Sequence, residues 1–168
     1  MNTMIRQKTL YSIIKRRLEK RKDLNLKGGF CVFIKLNDRW GVKLYNTKEK
    51  RDECFVLQLR ASRKKVAPKV GFKVRESFIF SRYNRESEYW GFLTEVADLP
   101  FNTLYNKKAQ KVSRILQSRM FKRGFDTDDL HAYNIGKIGE RYVCIDFDNA
   151  YEIDPKIDKI SRNYYGND

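Results

Sequence analysis

Residues 134–146 read Asn-Ile-Gly-Lys-Ile-Gly-Glu-Arg-Tyr-Val-Cys-Ile-Asp, two β-forming runs on either side of a Gly139-Glu140 turn. Such a pattern predicts an antiparallel hairpin in which Ile135–Ile138 pairs with 141–145 and the chain reverses at Gly139. The far end of that hairpin is then open. It carries Asn134 on one strand and Asp146 on the other, and Asp129 stands on the loop leading in, five residues before Asn134. Facing positions in an antiparallel pair lie about 5 Å apart, so an amide oxygen and a carboxylate can converge there. The plain alternative is a polar turn before an ordinary hairpin, with acids that are incidental.

The chain before this hairpin alternates between strand and helix patterns. Residues 4–22 place Leu10, Ile13, Ile14 and Leu18 on one helical face, with Lys15, Arg16, Arg17, Lys20, Arg21 and Lys22 around them, which predicts a basic amphipathic helix. Its apolar stripe is expected to pack on the domain; docking a partner or nucleic acid is the sharper reading. Lys27-Gly28-Gly29 and Asn37-Asp38 are turn signals around a strand at 30–36, and Trp40–Tyr45 follows as a second strand. Thr47 can cap a helix running to about Lys65, with Pro68 beyond it. Two aromatic-rich strands at 71–83 and 89–97 are joined by a polar turn at 84–87. Pro100 and Asn102 open a linker to a helix at 107–122, where Ala109, Val112, Ile115, Leu116 and Met120 keep helical spacing and Gly124 is the stop.

Charge divides the sequence unevenly. Of the formal +15, residues 1–120 hold 29 Lys and Arg against 11 Asp and Glu, and residues 121–168 hold 7 against 10. A basic remainder set against an acidic end suits a site that takes a metal and a polyanion together. The excess also predicts attraction to nucleic acid or acidic protein surfaces, and lysine-rich solubility is the bland reading. With 41% hydrophobic and 14% aromatic residues the chain has the means for a core. Cys31, Cys54 and Cys144 lie far apart in apolar runs, which predicts reduced thiols in a cytoplasm-like compartment. One histidine, His131, argues against a zinc site. No apolar run approaches the roughly 20 residues that span a bilayer, and the stretch 10–14 is too short for a signal peptide.

Asp129-Leu130-His131-Ala132-Tyr133-Asn134, followed by an apolar strand and Ile145-Asp146-Phe147, resembles the catalytic loop and metal-binding segment of the protein-kinase-like superfamily. It is closer to the Asp-Leu-His variety of small atypical kinases than to His-Arg-Asp. The resemblance implies an α+β fold: an antiparallel-sheet N-lobe with a helix, and a severely reduced C-lobe of one long helix plus the catalytic-loop hairpin. Domains are then expected at 1–23 (the basic helix), 24–98 (N-lobe) and 99–168 (reduced C-lobe). It further implies ATP and Mg²⁺ as cofactors, Asp129 as catalytic base, and Asn134 and Asp146 as metal ligands. Two hard oxygen ligands with phosphates and water completing the shell are what Mg²⁺ takes. Trp40-Gly41-Val42-Lys43-Leu44 resembles the strand whose lysine contacts nucleotide phosphates. Glu53, with Glu49 as competitor, would pair with Lys43, and backbone groups of Glu95 and Ala97 would meet adenine. His131 is expected to hold the loop, and Asp148 stands where the family commonly has glycine, facing solvent or joining the metal shell.

The sequence departs from the family at two places. Its glycine-rich phosphate loop is reduced to Gly28-Gly29, and only 22 residues follow Asp146, too few for an activation segment and helical substrate platform. Some short bacterial effector kinases lack the same platform and depend on a host partner. Three functions are therefore carried forward. The first is a minimal kinase phosphorylating a hydroxyl, on protein Ser/Thr, with a protein substrate or activating partner in a cytoplasm, including that of a host cell. The second is a pseudokinase that works by docking a partner. The third is a basic nucleic-acid-binding module using the cation-rich N-terminal portion.

Overall fold

The computed structural model describes residues 7–20, 31–82 and 85–154. It is a mixed α+β structure whose strands pair antiparallel throughout. Contacts divide it into two compact units, one drawn from the chain up to Val56 and from Lys69–Val96, the other from Leu57–Pro68 and from Ala97 onward. The expected N-lobe and C-lobe met at 98/99; here Leu57–Pro68 also belongs with the later residues. The predicted Gly28-Gly29 loop lies outside the described residues, as do Phe30, Tyr83 and Asn84.

In the first unit, helix α1 (Gln7–Lys20) precedes strands β1 (Cys31–Lys35) and β2 (Trp40–Tyr45). The β1–β2 turn forms as its sequence predicts: Asn37 Oδ1 accepts hydrogen bonds from the Arg39 and Trp40 amides at 2.9 and 2.8 Å, a side chain mimicking a backbone turn. Beside it Lys35 pairs with Asp38 and holds that carboxyl below its usual range. Helix α2 (Lys48–Arg63) starts where Thr47 Oγ1 accepts from the Lys50 amide. The single strand expected at 71–83 is two, β3 (Val70–Lys73) and β4 (Phe78–Arg82). Both pair with one long strand, β5 (Arg85–Glu95), β4 along its first half and β3 along its second, while β2 covers the opposite edge of β5. Buried Arg51 explains how the break is tolerated, since its guanidinium donates to the carbonyls of Val74 and Gly91 at the point where β3 ends.

Alternation along β2 gives this sheet two apolar faces. Val42 and Leu44 join Ile34, Leu93, Phe78 and Tyr89 on the face where α1 buries Leu10 and Ile14. Tyr11 stacks on Phe78 with ring centroids 4.8 Å apart, and Arg17 donates to the Lys35 and Leu36 carbonyls. Of the expected stripe, Leu10 and Ile14 are packed and Ile13 is half-buried, while the side chain of Leu18 lies outside the described ones. On the other face Tyr45 and Phe92 pack with Cys54 and Phe55 of α2. None of the three cysteines forms a disulfide, Cys54 and Cys144 being buried and Cys31 half-buried.

The second unit is built on helix α3 (Lys107–Phe121). Asn106 caps it by accepting from the Lys108 and Ala109 amides at 2.9 and 3.1 Å. Ala109, Leu116 and Met120 form its buried stripe, joined by half-buried Val112. Ile115 does not belong to that stripe: it is 58% exposed, because helical geometry turns it about 120° from the line of the other three. Gly124, at φ +85°, ends the segment as predicted. Strand β6 (Phe125–Thr127) then pairs with β9 (Ala150–Glu152), a ladder the sequence did not announce. Between them lie a 3₁₀ turn (Ala132–Asn134) and the hairpin of β7 (Ile135–Ile138) with β8 (Arg141–Cys144). Gly139, at φ +57°, makes the hairpin turn. The last turns of α2 close this core with Ala61, Val66 and Ala67. No helix among the described residues is long and apolar enough to cross a membrane.

Candidate active site

The loop from β6 to β7 is held in shape by neighbours on α3. Ser113 Oγ donates to the Leu130 carbonyl, and Gln117 Nε2 donates to the Thr127 carbonyl at 3.3 Å and to Asp126 Oδ1 at 3.4 Å. Ser113 and Gln117 stand four apart, hence on one helix face. Thr127 Oγ1 accepts from the Asp129 amide at 3.3 Å, while Ala132 and Leu130 anchor the loop in the apolar core. None of these supports was named from sequence. The signal available was a polar i,i+4 pair flanking the buried stripe of a helix.

Three side chains converge inside this loop. Asn134 Nδ2 donates to the Asp129 carbonyl at 2.8 Å and to Asp129 Oδ2 at 3.2 Å. His131 Nδ1 accepts from the Tyr133 amide at 3.2 Å, so its proton sits on Nε2, which reaches Asp129 Oδ1 at 3.2 Å. In that tautomer the 3.4 Å approach of Asn134 Nδ2 to His131 Nε2 is a contact between two donors aimed at one carboxylate. Asp129 is thereby gripped through both oxygens yet keeps nearly half its side chain exposed. A carboxylate so oriented retains lone pairs toward solvent and can accept a proton from an incoming hydroxyl.

The hairpin carries Asn134 and Asp146 to its open end, with one adjustment to the expected register. Ile135 pairs with Cys144, and the Ile145 amide donates to the Asn134 carbonyl at 3.0 Å, so Ile145 faces Asn134 and Asp146 is the next residue out. Asp146 Oδ1 accepts from the Asp148 amide at 3.1 Å. That bond occupies Oδ1, and Oδ2 is the carboxylate's second oxygen donor. Asn134 Nδ2 is committed to Asp129, and Oδ1 is the oxygen donor of the amide. Two oxygen donors of this kind fit Mg²⁺, which takes hard ligands and few of them from protein. Among the described residues no group of three or more His, Cys, Asp or Glu is arranged to hold a metal; Asn134 and Asp146 offer one amide and one carboxylate.

Close packing keeps the hairpin in position. A Cβ on Gly136 would sit 2.5 Å from Ile145 Cγ2 and 2.6 Å from Ala97 Cβ, so both neighbours approach the bare backbone. Asp98 and Lys137 exchange backbone hydrogen bonds of 2.8 and 2.9 Å beside them. Ala97, expected to meet adenine through its backbone, is thus tied to the hairpin that carries Asn134.

The remaining expected residues lie on the first unit. Lys43 is 6% exposed, on the face of β2 shared with Tyr45 and the start of α2. Glu53 lies on the exposed side of α2 and pairs with Lys50 at 3.3 Å, and Glu49 is exposed in the first turn. The helix positions turned inward are Arg51 and Cys54. The Glu95 amide donates to the Lys69 carbonyl at 2.8 Å, and the Glu95 carbonyl accepts from Thr94 Oγ1 at 3.5 Å. No protein-family model matches this sequence, and no curated protein matches it. What the chain does is therefore read from its own residues.

Proposed function

We propose that the chain is a minimal, protein-kinase-like phosphotransferase that moves the γ-phosphoryl group of ATP to a hydroxyl, with protein Ser/Thr as the acceptor. The observation that supports this reading most is the double grip of His131 and Asn134 on Asp129, in a loop that ends at the hairpin bearing Asp146. In this reading Asp129 takes the proton of the acceptor hydroxyl as its oxygen bonds to the γ-phosphorus and the bond from phosphorus to ADP breaks. Asn134 Oδ1 and Asp146 Oδ2 would hold Mg²⁺, which when bound neutralises charge on the phosphate oxygens. The resemblance in sequence assigns Lys43 to the phosphates, and Asp148 supports Asp146 through its amide.

The test is transfer of labelled phosphate from ATP with Mg²⁺ to general protein acceptors. Asp129→Asn removes the base and is expected to slow transfer about 10²- to 10⁴-fold. Asp146→Ala is expected to abolish both transfer and the thermal shift produced by Mg·ATP. A Mg·ATP shift without transfer to any acceptor would identify a nucleotide-binding pseudokinase instead. An Asp146→Ala protein that responds to Mg·ATP like the wild type would remove the metal-site assignment.

A further inference from the structure

Helix α3 carries Lys107, Lys108, Lys111, Arg114 and Arg119 and no acidic residue. Lys107 and Lys108 stand in its first turn, where positive charge opposes the helix macrodipole and acids are the stabilising choice. These cations therefore are not there for the helix. Lys107, Lys111 and Arg114 lie on the face opposite the buried stripe of Ala109, Leu116 and Met120, and all three are exposed. Among the described residues none of them enters a salt bridge.

The same face carries apolar groups that the core does not use. Ile115 is 58% exposed, and Leu104 and Tyr105, just before the helix, are 44% and 87% exposed. Two shallow cavities connect Ile115 and Leu104. One, of about 460 Å³, runs along Lys107, Lys111 and Ile115. The other, of about 340 Å³, lies between Leu104 and residues 130–132 of the loop. Gln110 and Arg114 line both, so they form a continuous track across α3. The track ends on His131, which also holds Asp129.

From this we infer that the outer face of α3 docks an acidic peptide segment, the acceptor protein's own, with Asp or Glu side chains on Lys107, Lys111 and Arg114 and an aliphatic side chain against Ile115. Charge complementarity selects an acidic occupant. Leu104 and Ile115 are aliphatic and Tyr105 is the single exposed ring beside them, which suits the mixed side chains of a peptide better than a run of bases, each needing a stacking platform. Because the track leads to the loop that orients Asp129, a segment lying along it carries its serine or threonine toward that carboxylate. The inference deepens the phosphotransferase reading and, in naming an acceptor, rests on it. Docking itself does not require catalysis.

Fluorescence anisotropy of the full chain with a labelled serine-containing peptide, rich in Asp and Glu and bearing one leucine, tests the docking. The same peptide with Asn and Gln at the acidic positions and a single-stranded oligonucleotide serve as comparisons. The acidic peptide is expected to bind about tenfold tighter than the neutral one at low salt, with the advantage shrinking as salt rises. Lys111→Glu with Arg114→Glu is expected to weaken it about tenfold, and Ile115→Ser about threefold, with melting temperatures unchanged because all three sites are exposed. Asp129→Asn is expected to leave peptide affinity unaltered while removing transfer, which separates failure of docking from failure of catalysis. Equal binding of acidic and neutral peptides overturns the inference. So does a double variant that binds like the wild type, or one that loses the oligonucleotide and keeps the peptide.

Discussion

Asn134 does two things with one side chain. Its nitrogen closes the loop on Asp129, and its oxygen is left at the hairpin's open end. Asn134→Asp preserves shape and oxygen but sets a second carboxylate against Asp129 where a donor stood. We expect a loss of about 1–3 kcal/mol at pH 7 in urea unfolding, the cost of an unmade hydrogen bond plus like-charge repulsion. Protonation relieves that repulsion, so the deficit relative to wild type should shrink as pH falls to 5. A constant deficit across that range would mean that the two side chains do not face one another. A second residue-scale test concerns Lys65, which has φ +60° just past α2. The Val66 amide donates to the Ala61 carbonyl and the Lys65 amide to Ser62, the two bonds of a Schellman cap. Lysine holds a left-handed position that glycine occupies without steric cost. Lys65→Gly is therefore expected to stabilise by about 0.5–1 kcal/mol after glycine's greater unfolded freedom is counted.

At the scale of elements, the β7–β8 hairpin is positioned by what it lacks. Gly136 lets Ala97 and Ile145 close onto bare backbone, so Gly136→Ala must push apart two neighbours that are already at contact. Overpacking of this sort costs about 1–3 kcal/mol. Both its unfolding midpoint and the Mg·ATP thermal shift are expected to fall, since the strands carrying Asn134 and Asp146 move together. The hairpin was legible in sequence because a glycine turn between short β-forming runs leaves little choice of register. Its supports were not legible. Ser113 and Gln117 reach the carbonyls of the loop from a helix, 17 and 10 residues upstream, and polar residues beside a buried stripe look the same whether they meet water or a carbonyl. Ile115 was misplaced for a related reason, since an aliphatic residue at near-helical spacing reads as core until the helix is turned against its neighbours.

Across the whole molecule, positive charge is in excess. The formal charge is +15, and on the second unit burial and the neighbouring Arg123 and Arg141 hold the Arg119 guanidinium below its usual range. Self-repulsion of this size destabilises the compact state and is screened by salt. Raising sodium chloride from low to physiological strength is expected to lift the melting temperature by about 2–4 °C, roughly 1 kcal/mol for a chain of this length; a fall would show that attractive surface pairs outweigh the repulsion. The sequence by itself determined the local elements: the cap at Thr47, the turns at Asn37 and Gly139, the stop at Gly124 and the loop residues Asp129, His131 and Asn134. Each of these depends on side chain and backbone within a few residues, where the chain has few alternatives. Tertiary structure alone decided that β5 is shared by β2 and β3, that β6 pairs with β9, and that buried Arg51 closes the gap where β3 ends. Those pairings join segments tens of residues apart, and their partners are chosen by burial and by the demand of every buried carbonyl for a donor, which local pattern does not encode.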